Sequence, residues 1–162
     1  MAEPILIKAV LVYLVHEGKV LTILGKKPYA PHFGKLNGLG GKFEPEDHED
    51  PIACARREVY EESGITLNEL ELVGEIHFTG NIPDKDFYVY IFLAHGYTGT
   101  PRCNPNEGEL VWVAVDDLPI ERFQIGDRYF MPWVFNRQYF KAKFRYEASK
   151  YIDHDVNFLV SL

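Results

Sequence analysis

Cysteine is scarce in this chain: Cys54 and Cys103 are the two in 162 residues, and no CxxC pair occurs. A disulfide-stapled scaffold is therefore excluded, and reduced thiols in a reducing compartment are expected. The six histidines are scattered, so neither Cys nor His offers the spacing of a zinc site. No apolar run reaches the ~18–20 residues of a membrane span. Met1 to Val15 has neither a basic start nor a small-residue cleavage site. The expectation is a soluble, cytoplasmic protein with no membrane contact. Positive charge is also short, with Lys and Arg totalling 17 against 24 Asp and Glu, a formal net charge of −7. That balance opposes stable binding to nucleic acid, whose affinity rests on phosphate neutralisation by Lys and Arg. A small phosphorylated ligand can still bind through a cation.

What is present suffices for one compact domain over residues 1–162. The chain is 46% hydrophobic and 14% aromatic, with no linker, repeat or low-complexity tract. Ile5 to Val15 and Val20 to Leu24 flank His16-Glu17-Gly18 and read as a hairpin. Leu70 to Phe78, Phe87 to Leu93 and Leu110 to Val115 are further strands, with turn chemistry at Asn81 to Asp84. A second helix is expected from Asp127 to Tyr139, its Pro132 near the first turn or at a kink. Ala142 to Glu147 and Tyr151 to Leu159 suggest a closing hairpin. Mixed strands with two main helices imply an α/β fold, a sheet covered on both sides.

The most informative stretch runs from Gly40 to Ile65. Asp50-Pro51 is a helix start, an N-cap acceptor before a ring pre-set for the first turn. Gly64 is the matching stop, so the helix runs from about Pro51 to Ser63. At 100° per residue Ile52, Ala55 and Val59 share one side, and Glu58, Glu61 and Glu62 another. A solvated acidic face would cost little, because like-charge pairs on a helix cost about 0.2–0.5 kcal/mol each. The placement says more: these acids occupy the last two turns, where the macrodipole favours cations. A hard, oxygen-seeking divalent cation such as Mg²⁺ is the economical compensation. Cys54, one turn before Glu58, reads as a half-buried structural thiol, since neighbouring anions raise a thiol pKa.

Arg57-Glu58-Val59-Tyr60-Glu61-Glu62-Ser63-Gly64-Ile65 resembles the second half of the Nudix box and matches its every specified position. Five fixed residues coincide by chance about once in 10⁵–10⁶ windows. The first half departs from the pattern. Glu49 stands at the required distance before Arg57, but Phe43 occupies the glycine position and Gly41 is two residues too early, which reads as a loop enlarged around Glu46 to His48.

The likeness continues through most of the chain and is greatest to the 8-oxo-dGTP diphosphatases of the MutT type. Lys35 to Lys42, Asn106 to Trp112, Asp116 to Pro119, Gly126 to Pro132 and Phe140 to Phe144 all resemble their counterparts there. The resemblance implies a Nudix-type α/β/α sandwich with mixed β-sheet. It also implies Mg²⁺-dependent hydrolysis of a nucleoside triphosphate to monophosphate and pyrophosphate, with Mn²⁺ able to substitute, in the service of nucleotide-pool sanitisation. In that scheme Gly40, Glu58, Glu61, Glu62 and Glu107 hold metal, and Arg57 orients a glutamate. Glu61 or Glu107 accepts the proton, while Gly41 and Lys42 meet phosphate. Asn37 and Asp127 read the base, with Phe33 and Phe123 as stacking walls. Tyr29, Phe78, Phe87, Tyr88 and Trp133 are weaker candidates for that wall, aromatics being mostly core. The resembling base pocket carries a Trp, a Pro and two adjacent acids where this chain has Gln124-Ile125-Gly126-Asp127. The alternatives are another nucleoside diphosphate-linked substrate (a sugar, a dinucleoside polyphosphate or a capped RNA end) or a non-catalytic nucleotide-binding module. A monomer or a homodimer is expected.

Overall fold

The computed structural model describes residues 3–26 and 33–159. Among these described residues nine strands and two α-helices follow in the order β1 (Ile5–His16), β2 (Lys19–Leu24), β3 (Leu36–Asn37), β4 (Leu39–Lys42), α1 (Pro51–Ser63), β5 (Thr66–Ile82), β6 (Lys85–Thr98), β7 (Glu109–Ala114), α2 (Ile125–Phe135), β8 (Phe140–Glu147) and β9 (Lys150–Phe158). The sheet runs β3-β2-β1-β6-β5-β8-β9, with β4 paired to β1 and β7 to β2. It is mixed: β1 lies parallel to β6 and β5 parallel to β8, while the hairpin pairs are antiparallel.

The period of two along β1 explains the layering. Val10, Val12 and Leu14 join Cys54, Ala55 and Val59 of α1 in one core. Ala9 and Tyr13 face the opposite way, into a second core with Phe130, Met131 and Val134 of α2. β6 repeats the alternation, Phe92 and Ala94 against Val89, Ile91 and Leu93. The result is the expected α/β/α sandwich. Ile52, assigned to the apolar face of α1, is instead 46% exposed.

Both ends of α1 match the sequence. Asp50 accepts from the Ile52 N–H, and Gly64 adopts φ 75 with its N–H donating to Tyr60. The β1–β2 hairpin turns through Glu17 and Gly18, both at positive φ, the twist a two-residue hairpin needs. α2 differs from expectation: it begins at Ile125 with Gln124 as N-cap and ends at Phe135. Asp127 is therefore not the cap, and Pro132 lies past the first turn, where its ring removes one intrahelical hydrogen bond. The basic residues of β8 lie between β5 and β9, so the exposed edge is β9. Arg145 pairs there with Asp153 and, at 2.8 Å, with Asp155.

Candidate active site

Two glycines let the backbone of β4 lie directly against its neighbours. A Cβ on Gly40, whose φ is 155, would stand 2.1 Å from the Val10 carbonyl oxygen. A Cβ on Gly41 would fall 2.4 Å from Glu58 Cδ. Only glycine permits both approaches, and the acidic face of α1 thereby abuts main chain. Glu62 is buried, and its Oε1 accepts the Gly40 N–H at 2.7 Å. Glu58 is half-buried and Glu61 exposed.

Arg57 organises this face. Its Nη1 donates to Glu58 Oε1 at 2.9 Å and to Glu61 Oε2 at 3.1 Å, and its Nη2 to the Lys42 carbonyl at 3.0 Å. The expected charged hydrogen bond from Arg57 to a glutamate is thus present. The sequence reading missed the other partner: Asp47 takes Nε at 2.8 Å and Nη2 at 2.9 Å, a bidentate grip. Asp47 is only 3% exposed, and the guanidinium holds its carboxyl down at about 2. The enlarged loop around it is one 3₁₀ turn, Pro45–Asp47, closed by the Glu44 N–H donating to Asp47 Oδ2 at 2.9 Å. The acid at the third position of that turn was a legible signal; its pairing with Arg57 was not.

Burial pushes Glu58 up to about 7 and Glu62 well above the carboxylate range, and Glu107 adds repulsion to both. Glu107 reaches them from the 104–108 turn, which is tied to α1 by the Asn104 amide donating to the Glu61 carbonyl at 3.1 Å. Among the described residues, no three His, Cys, Asp or Glu side chains converge as ready metal ligands. The expected metal constellation is therefore present as neighbours but not as a formed shell: Glu58 and Glu61 turn to Arg57, and Glu62 to Gly40. Part of the compensation predicted for these anions is supplied by the protein itself.

Cys54 is wholly buried under β4, with its thiol 3.6 Å from the Lys42 carbonyl. Burial, with Asp47 adding, pushes the thiol up to about 12, so it is structural. Glu49 stands apart, exposed at φ 61 and paired with Lys8 at 3.0 Å.

A cleft of about 960 Å³ joins these groups to the far residues of the chain. Gly40, Gly41, Lys42 and Arg57 line it together with Glu58, Glu61, Glu62 and Glu107. Asn37 and Asp127 line the same cleft. The Asn37 carboxamide oxygen accepts the Gly38 N–H at 3.0 Å, which leaves its NH₂ to donate. Asp127 is 8% exposed, and burial pushes it up to about 7. The aromatic assignments need correction. Phe123 is fully buried in the α2-side core and cannot stack on a ligand. Phe33 is 53% exposed and outside the lining. Tyr29 lies outside the described residues. Of the weaker candidates, Phe78 and Phe87 line the cleft, whereas Trp133 packs on Phe140 and Phe158. Alternation along a strand cannot tell which of two faces carries a cleft, so this choice was invisible in sequence.

Comparison with known proteins gives one answer. The chain is 33% identical over 146 residues to an oxidized purine nucleoside triphosphate hydrolase of Danio rerio, covering 90% of this chain and 87% of that one. It is 33% identical over 126 residues to the protein of the same description from Mus musculus, covering 77% and 78%. The fold is similar to a crystal structure of a MutT protein from Bacillus halodurans, with a TM-score of 0.80, 21% identity, and 93% and 97% of the two chains covered. The profile of the NUDIX domain matches residues 6–134, a span that holds every residue of the acidic wall and both Asn37 and Asp127. The chain belongs to the NUDIX family.

Proposed function

We propose that this protein is a MutT-like nucleoside triphosphate pyrophosphohydrolase, releasing nucleoside monophosphate and pyrophosphate, with an oxidised purine triphosphate as the leading substrate and Mg²⁺ as the metal. The observation that carries the reading is a single cleft holding both a phosphate-chemistry wall and, through Asn37 and Asp127, a base-reading end. Its size suits a nucleotide. The 33% identity to two oxidized purine nucleoside triphosphate hydrolases supports the substrate class.

NUDIX hydrolases act with a divalent metal, and the residues here fit one. The donors are all oxygens, as a hard cation prefers. Glu58 and Glu62 are carboxyls held above their ordinary range by burial and mutual repulsion, the condition a bound dication relieves. Glu58, Glu61, Glu62, Glu107 and the Gly40 carbonyl would hold it, and when bound it supplies charge neutralisation for phosphoryl oxygens and acidifies water.

The remaining work falls to the chain itself. Arg57, clamped by Asp47, limits the rotamers of Glu58 and Glu61 and so pre-orients them. The Gly40 N–H fixes Glu62 from the strand side. Lys42, exposed at the cleft wall beside Gly41, meets phosphate. Glu61 and Glu107 are the candidates to accept the proton of the attacking water; Glu61 is the more exposed to solvent. Positioning and charge neutralisation are the main demands of phosphoryl transfer, and this arrangement meets both.

The test is pyrophosphate release from a nucleotide panel with Mg²⁺, using wild type and Glu61→Gln. The amide keeps the shape and loses the charge, so kcat should fall at least about 10²-fold with the melting temperature preserved. Retention of more than half of wild-type kcat would refute the site.

A further inference from the structure

Tyr146 of β8 was not among the residues that the sequence singled out, yet it lines the cleft together with Asp127 and Phe78. Its ring lies 6.3 Å from that of Phe78. The phenol occupies space that exists because residue 126 has no side chain: a Cβ on Gly126 would stand 2.1 Å from the Tyr146 hydroxyl oxygen. The Gly126 N–H, at the start of α2, faces that oxygen and opposes the effect of burial on the phenol. Asp127 is the next residue, and its charge reinforces the effect of burial in keeping the phenol protonated. A protonated phenol beside a backbone N–H still has its own proton to donate. The cleft therefore holds a further polar group close to Asp127, a donor beside a carboxyl able to accept or donate.

We propose that Tyr146 is a specificity-determining residue, donating its hydroxyl proton to an acceptor on the nucleobase edge that Asp127 also reads, from a seat made by Gly126. The base it favours carries neighbouring donor and acceptor groups on one edge, as a purine with exocyclic oxygen or nitrogen does. The inference rests on the nucleotide reading above and adds a residue to it. The aromatic ring packs in the core whatever the ligand, so a purely structural role would act on all substrates alike.

Two measurements test this. The first compares kcat/KM for 8-oxo-dGTP, dGTP, dATP and dCTP in wild type and Tyr146→Phe. Removing one hydrogen bond to substrate should lower the ratio between the preferred purine and dCTP about fivefold or more, through KM, with kcat on the preferred purine little changed. The same proportional change on all four nucleotides, or none, would overturn the proposal. Failure of wild type to release pyrophosphate from any of them would overturn the nucleotide reading, and this inference with it. The second measurement needs no substrate: Gly126→Ala should lower the melting temperature strongly in wild type and much less in Tyr146→Phe, whose missing hydroxyl vacates the space. Equal losses in the two backgrounds would show that the hydroxyl is not seated at Gly126.

Discussion

Replacing Asp47 with asparagine isolates the most buried of the ion pairs that Arg57 makes among the described residues. Asp47 is 3% exposed, and the Arg57 side chain it grips is 16% exposed. Neither partner is well placed to regain water. Two bonds of 2.8 and 2.9 Å to a carboxylate would become at best one bond from the guanidinium to an uncharged amide oxygen, and Arg57 would lose its nearest compensating charge. Hydrogen bonds to charged groups contribute about 1.5–3 kcal/mol, and stranding one member of a buried pair costs about 3–5 kcal/mol. Glu58 and Glu61 still hold Arg57, so the lower figure applies, about 2–3 kcal/mol. The lowered carboxyl leads to the same magnitude. A carboxyl lowered from 3.8 to about 2 stabilises the fold by about 2 kcal/mol. That stability is fully present above the ordinary pKa and is lost as pH falls from about 4 through 2. Urea denaturation at pH 7 should show Asp47→Asn less stable by this amount, with a melting temperature about 5–10 °C lower. The gap to wild type should close as pH falls through that window. Activity should also fall, since a freed guanidinium lets Glu58 and Glu61 rotate. A stability loss under about 0.5 kcal/mol, or a gap independent of pH, would mean that the clamp contributes little.

Metal should stabilise the native state by mass action. Saturating Mg²⁺ or Mn²⁺ is expected to raise the melting temperature of wild type and to raise that of Glu58→Gln much less, as read by differential scanning fluorimetry. An unchanged melting temperature together with full turnover in chelator would remove metal from the scheme. Asp127, pushed up to about 7 by burial, favours folding while it is protonated in the native state. Its contribution is present below about pH 4 and is lost as pH rises through 7, up to about 4 kcal/mol. Asp127→Asn should therefore be more stable than wild type at pH 8–9 and similar below pH 4 by urea denaturation. Parallel stability curves would show that Asp127 titrates normally.

The local sequence alone determined α1 and its caps. Asp50-Pro51 and Gly64 act through bonds within a turn or two, which no distant contact overrides. It also determined that three carboxylates lie one turn apart, since helical spacing is fixed by the backbone. The strands were legible where mostly apolar runs held five residues or more, as in β1, β2, β6 and β7, and illegible in the two- and four-residue strands β3 and β4. β3 and β4 are held by pairing with β2 and β1 more than by any propensity of Leu36–Asn37 or Leu39–Lys42. Tertiary structure decided the rest because the deciding contacts join residues far apart in the chain. Asp47 clamps Arg57 from outside the helix, Gly41 admits Glu58, and Glu107 arrives on a turn some fifty residues downstream. It also settled which aromatics line the cleft, burying Phe123 while Phe78 and Phe87 line it. A residue's face is written in its local period; what that face meets depends on the register of the sheet and the docking of α2, which no window of sequence contains.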